Sequence, residues 1–280
     1  MTDDIAAKNK AAWEESFELR KKGWGDDVPE RLEKNLVSLV EPECAAFLDE
    51  NDLKNAAVAQ FCCNDGRDLM GIVKYAEAAR GVGFDISENI LRQARRNAQK
   101  AGLPCEFVQT DIAAVPEKYY DVFDAAFVIV GALCWFDDLN AFFEKVARCL
   151  KKDGLLFVQE IHPFTFMEAV AGENGFDAAH PLEPKRSYFS KEPFVDNTSM
   201  PYFTNAEKQK NSFYSFGYTM ADVVNALVSN GLQVTGMSES DVDLGGDFTA
   251  FSRKGFPLSF VVTGRRMSEN NNDRLKNGYK

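Results

Sequence analysis

The chain has 280 residues, 45% of them hydrophobic and 27% charged, an ordinary balance for a globular protein long enough to bury a core without staples. Its 32 Lys and Arg face 43 Asp and Glu, and the net charge of -11 disfavours DNA, RNA and acidic lipid surfaces as partners. The longest apolar run, residues 125–136, is too short to span a bilayer, and the acidic start Met1-Thr2-Asp3-Asp4 has the character of neither a signal nor a transit peptide, so no membrane partner and a cytoplasmic location are expected.

In chain order, the pattern first predicts two helices, over 2–22 and 28–50. Trp13 and Phe17 stand four apart on the first, and Leu32, Leu36, Leu39 and Val40 mark the inner face of the second. Gly23-Trp24-Gly25-Asp26-Asp27 separates them, and Pro29 suits a first helical turn. Residues 1–54 therefore read as an N-terminal helical cap. From Asn55 strands and helices alternate: strand 57–63, helix 66–79, strand 81–85, helix 87–101 between Ser87 and Gly102, then strand 105–109. Strand 123–130, helix 138–150 and strand 154–160 continue the series. Apolar strands alternating with amphipathic helices predict a doubly wound, Rossmann-like α/β domain over 55–264 with parallel strands.

Residues 161–217 break the rhythm, being rich in Pro, Gly, Asn and aromatics: Phe164, Phe166, Phe176, Tyr188, Phe189, Phe194, Tyr202, Phe203, Phe213, Tyr214 and Phe216. So long a stretch of weak periodicity reads either as a lid over a binding site or as an extra layer packed on the sheet. Helix 218–230 then restores order, followed by strands near 232–239 and 256–263 joined through Gly245-Gly246, and a polar tail over 265–280. Six cysteines at 44, 62, 63, 105, 134 and 149 form no C-x-x-C pair and are expected as reduced, mostly buried thiols.

Three of the strands end in polar or acidic turns at βαβ spacing: Gln60-Phe61-Cys62-Cys63-Asn64-Asp65-Gly66, Phe84-Asp85-Ile86, and Gln109-Thr110-Asp111-Ile112. A doubly wound sheet places such turns together at its carboxyl edge, where a nucleoside-bearing cofactor lies. The carboxylate of Asp85 is suited to accept both hydroxyls of a ribose.

These residues resemble the class I S-adenosylmethionine-dependent methyltransferases over roughly 55–160 and 218–264. The family's first turn is Gly-x-Gly-x-Gly after an acid. Here those positions hold Cys62, Asn64 and Gly66, and Gln60 stands at the acid. Asn tolerates the left-handed backbone that such a turn asks for. The resemblance further implies that Asp85 and Ile86 hold the ribose side, that Asp111 receives the adenine amino group while the amide of Ile112 meets the ring, and that Val130 lies by the methionine part and Trp135 by the adenine side or the entrance. It implies a seven-stranded sheet of order 3-2-1-4-5-7-6 with an antiparallel last strand, and S-adenosyl-L-methionine as cofactor.

Methyl transfer from a sulfonium is an in-line displacement, so the protein chiefly aligns the acceptor and excludes water. No metal is expected, since no His, Cys and Asp cluster has ligand spacing. His162, in Glu160-Ile161-His162-Pro163, follows the fifth strand and reads either as a general base for an O–H or N–H acceptor or as a hydrogen-bonded turn histidine. Trp24, Tyr214 and Tyr218 join His162 as acceptor-site candidates, under a roof supplied by 161–217 and perhaps the N-terminal helices. An aromatic roof suits an apolar, planar or cationic small molecule. An Asn-Pro-Pro-Tyr-like tetrapeptide after the fourth strand, which in the family marks base or glutamine amino-group methylation, is absent: Val130-Gly131-Ala132-Leu133 stands there. Two alternatives stay open, a protein that binds the cofactor without turnover, as the altered first turn suggests, and a NAD-dependent oxidoreductase, which shares the Asp85 argument.

Overall fold

The side chains of the strand Phe123–Ile129 alternate between two cores: Ala125, Phe127 and Ile129 belong to one, Phe123, Ala126 and Val128 to the other. A strand apolar on both faces needs cover on both, and that need organises the chain. The computed structural model describes residues 3–34, 39–169, 175–177, 179–180, 183–200, 202 and 204–267. Leu36, Phe203 and the tail beyond 267 lie outside these.

The elements are α1 (Asp3–Glu18), α2 (Val28–Lys34), α3 (Pro42–Glu50), β1 (Ala57–Phe61), α4 (Arg67–Tyr75), β2 (Arg80–Asp85), α5 (Glu88–Ala101), β3 (Cys105–Gln109), β4 (Phe123–Ile129), α6 (Leu139–Cys149), β5 (Leu150–Ile161), β6 (Phe194–Thr198), β7 (Lys208–Ser215), α7 (Met220–Ser229), β8 (Leu232–Ser240) and β9 (Ser259–Arg266). Seven strands form one sheet in the order β3-β2-β1-β4-β5-β9-β8. Strands β1 to β5 pair in parallel, and β9 runs antiparallel between β5 and β8. This is the sheet that the sequence predicts. Buried residues of α2, α3, α4 and α5 close one face, and those of α6 and α7 close the other.

Several boundaries follow from single residues. The Ser87 side chain accepts the Ile90 amide at the start of α5, and Gly102 ends that helix at φ 65°. Asp138 caps α6 and Thr219 closes a capping box with Asp222 on α7.

The single helix expected over 28–50 is instead α2 and α3. Pro42 is the reason: it opens α3, and Glu41 before it is extended at φ -59° and ψ 148°, a conformation that proline imposes on its predecessor. The 161–217 segment also carries more regular structure than its periodicity suggests, because β6 and β7 pair as an antiparallel two-stranded sheet. Helix α1 lies along β7. The Asn9 side-chain amide exchanges two hydrogen bonds with the backbone of Tyr214, at 2.9 and 2.8 Å, and Glu15 accepts the amides of Lys210 and Asn211 at 2.7 and 2.8 Å. The side chain of Ser16 meets that of Gln209 where both are buried. Backbone groups of β7 thus find partners on a helix about 200 residues away in sequence, as buried polar groups must.

All six cysteines are free. Among the described residues no helix is long and apolar enough to cross a membrane.

Candidate cofactor site

The turn after β1 is built on three left-handed residues. Cys62, Asn64 and Gly66 have φ of 58°, 50° and 72°. They are the three positions where glycine is usual, and the backbone adopts the glycine conformation at all three. Gly66 cannot vary: besides its φ, a Cβ there would stand 2.2 Å from the Phe107 ring. Asn64 holds the turn through its side chain, whose Oδ1 accepts the Asp65 amide at 2.7 Å. The amide of Asn64 donates to Asp85 Oδ2 at 2.8 Å, which ties the end of β1 to the end of β2.

Asp85 is the hinge of the site. Its second oxygen accepts the Ser87 amide at 3.0 Å. Burial pushes its pKa up, and the amides of Ser87, Asn64 and Ile86 pull it back. Each carboxylate oxygen thus has a backbone donor and retains a lone pair for a further one. After β3, Asp111 turns one oxygen onto the Ala113 amide at 3.0 Å and starts a short 3-10 turn over Ile112–Ala114.

Beyond these strand ends lies a cavity of about 470 Å³. Its floor includes Cys62, Asn64, Asp85, Ile86, Asp111, Ile112, Val130 and Trp135, eight of the nine residues expected at the cofactor. Gly66, the ninth, shapes the turn and is not in the lining. Trp24 is also in the wall. Helix α1 contributes Ala6, Asn9 and Trp13, and the segment before β7 contributes Met200 and Tyr202. The roof is an aromatic cluster, with the Trp13 ring 5.3 Å from Trp135 and 5.1 Å from Phe213.

Sequence reasoning missed a charged group at the start of α4. Asp65, 1% exposed, binds Arg67 through two oxygens, at 2.8 and 2.6 Å. The Arg67 guanidinium stands 4.7 Å from the Trp24 ring centroid, and Tyr202 receives the Asn64 side-chain amide at 3.2 Å. Asp68 stands beside Gln60 and also lines the cavity; burial, with the neighbouring Asp65 charge, raises its pKa to about 6 against the pull of Arg67 and a hydrogen bond from Gln60. The carboxyl group missing from the end of β1 therefore has a neighbour one turn into α4. Acids at 65 and 68 flanking Arg67 were the only available signal, and such a run is common on solvated helix starts.

The remaining candidates are placed elsewhere. His162 lines neither this cavity nor its neighbour. Its Nδ1 accepts the Phe164 amide at 3.0 Å and its Nε2 lies 2.8 Å from Glu239, so both ring nitrogens serve the turn after β5. Tyr214 is on β7, with Lys8 5.1 Å from its ring centroid, and is outside both cavities. Tyr218 lines a second cavity, of about 130 Å³, that shares Gly131, Cys134 and Ile161 with the first.

Residues 58–154 match the family described as Methyltransferase domain. Over that stretch, and in its strand order, the chain is similar to the class I S-adenosylmethionine-dependent methyltransferases. Among relatives, the chain is 24% identical to an uncharacterized protein of Haemophilus influenzae over 76% of its own length and 82% of the relative's. It is 26% identical to a malonyl-[acyl-carrier protein] O-methyltransferase of Brevibacillus brevis over 63% of the chain and 64% of that protein. A solved structure from Listeria monocytogenes, described as an S-adenosylmethionine-dependent methyltransferase, shares the fold at a TM-score of 0.61 and 16% identity, covering 80% of this chain and 96% of that one.

The cofactor of the methyltransferases that this chain resembles is S-adenosylmethionine, and the residues fit it. The volume lies within the roughly 300–1,000 Å³ of small-ligand sites. Asp85 presents a carboxylate with acceptor capacity left, and aromatic and apolar walls flank it on both sides.

Proposed function

We propose that this protein transfers the sulfonium methyl of S-adenosylmethionine to a small-molecule acceptor by in-line displacement. The observation that carries the reading is the convergence of Asp85, Asp111 and the left-handed Cys62–Gly66 turn on one cavity at the carboxyl edge. In this reading Asp85 takes the two ribose hydroxyls on the lone pairs left by the Asn64 and Ser87 amides. Asp111 receives the adenine amino group, and Ile86, Ile112 and Trp135 face the ring system. Arg67 and Asn64 border the methionine end, where Arg67 suits its carboxylate.

The bound cofactor would supply an activated methyl, so the chain's own work is alignment and exclusion of water. Trp13, Trp24 and Tyr202 roof the cavity and supply that exclusion. Gly131, Cys134 and Ile161, which form walls of both cavities, mark where cofactor and acceptor meet. Glu160 keeps that wall rigid: its carboxylate, 4% exposed, accepts the amides of Gly131, Ala132, Leu133 and Ile161.

The test is calorimetry with S-adenosylmethionine and S-adenosylhomocysteine. Micromolar binding is expected, and Asp85→Ala should weaken it at least about tenfold, since a hydrogen bond to a charged group contributes about 1.5–3 kcal/mol. No binding of either compound at millimolar concentration would sink the proposal.

A further inference from the structure

The smaller cavity is aromatic, walled by Phe166, Phe194, Phe216, Phe248 and Phe260. Two polar atoms of its lining residues are buried without a hydrogen-bond partner, Oε2 of Glu168 and the hydroxyl of Tyr218. Glu168 is 2% exposed. An unanswered buried polar group is destabilising, more so when it is charged, so each such atom asks for an explanation. Glu160, the other acid of the wall, needs none, because four backbone amides satisfy it. Lys185 and Arg186 stand near enough to act on the Glu168 charge, but neither hydrogen-bonds its Oε2: the Arg186 guanidinium donates to the Glu168 backbone carbonyl at 3.0 Å and packs 3.7 Å from the Phe194 ring centroid.

We propose that this second cavity is the acceptor subsite and takes a compact arylalkylamine, a single ring bearing an aliphatic amine, whose N–H groups bind Glu168 Oε2 and the Tyr218 hydroxyl oxygen. The inference rests on the methyltransferase reading above and deepens it. An ionised carboxylate only accepts hydrogen bonds, so its partner must be a donor. An amine brings at least two N–H groups to two open atoms. The five phenylalanine side chains of the lining favour a planar body and a cationic head, and a chain of net charge -11 attracts cations. About 130 Å³ admits a single substituted ring and little more. The shared wall at Gly131, Cys134 and Ile161 brings the amine to the methyl donor. There Glu168 takes a proton from the bound ammonium, the nitrogen lone pair so freed forms the N–CH₃ bond as the S–CH₃ bond breaks, and the S–C bonding pair stays on sulfur. Burial raises the pKa of that carboxyl against the pull of Lys185 and Arg186, which suits a proton acceptor.

The experiment is calorimetry on the S-adenosylhomocysteine-loaded protein with benzylamine and, as a matched neutral probe, benzyl alcohol. Benzylamine is expected to bind at least tenfold more tightly than the alcohol. Glu168→Gln should remove most of that preference, and Tyr218→Phe should weaken benzylamine three- to tenfold, with S-adenosylhomocysteine affinity unchanged in both. Tyr218→Phe deletes only an unpartnered hydroxyl, so it keeps the test decisive if the Glu168 variant does not fold. Equal binding of the two probes, no binding of benzylamine, or unchanged benzylamine affinity in the variants overturns the proposal. Failure of the wild-type chain to bind S-adenosylhomocysteine overturns the methyltransferase reading instead, so the two failures are distinguishable.

Discussion

Cys62 holds a left-handed backbone that costs an L-residue about 1–2 kcal/mol relative to glycine. Glycine would relieve that strain but bring more unfolded-state entropy, about 0.5–1 kcal/mol. Cys62→Gly is therefore expected to stabilise the fold by no more than about 1 kcal/mol. Because the turn already has its left-handed course, the same change should alter S-adenosylhomocysteine affinity less than about threefold, read by paired denaturation and calorimetry. A large gain in affinity would mean that the native turn fails to present its backbone. His162 makes a second prediction at this scale. Burial holds its pKa below the ordinary 6.5, against the pull of Glu239. The folded state thus binds a proton less readily than the unfolded chain. The stability this gives is complete above about pH 6.5 and is lost as pH falls through 6.5 and the lower folded value. Chemical denaturation between pH 7.5 and 5 should show a shallower decline for His162→Asn, and an unchanged slope would refute a buried neutral imidazole.

At the scale of elements, the parallel half of the sheet was legible because each strand and helix there carries its own periodicity and caps: Ser87 and Gly102 bracket α5 in sequence as in space. Asp85 and Asp111 were legible for a related reason, since a parallel sheet brings every strand's carboxyl end to one edge. Residues whose partners are distant were not. Strand β7 reads Lys-Gln-Lys-Asn-Ser-Phe-Tyr-Ser, and its inward face includes Gln209, a polar residue buried against Ser16 and the Ala12 carbonyl. Nothing local distinguishes such a strand from a loop. Pro42 is the opposite case: it was a readable signal, and the leucine spacing before it outweighed it. Arg67 and Tyr202 enter the site through contacts with Trp24 and Asn64 that no spacing rule anticipates.

For the whole molecule, the cavity is closed by parts drawn from both ends of the described chain. Trp13 is the junction, touching Trp135 on the sheet side and Phe213 on β7. Trp13→Ala should destabilise the fold by about 2 kcal/mol, below the 3–5 typical of a fully buried aromatic because this ring is only half-buried. It should also speed S-adenosylhomocysteine release at least about fivefold in stopped-flow measurements. Unchanged release with lowered stability would show that α1 supports the fold without controlling the site.

The clasp between Asn9 and Tyr214 joins residues 205 positions apart. Helix α1 leaves the ribosome long before the strand it binds. At about 5–20 residues per second, that interval is on the order of 10–40 s. Through it the Trp13 face of α1 lacks its ring partner Phe213, and the parallel sheet assembles with no roof. The nascent chain thus passes through a stage with the carboxyl edge of its parallel strands open to water, and it is the arrival of β7, with α7, β8 and β9 still to follow, that encloses the site.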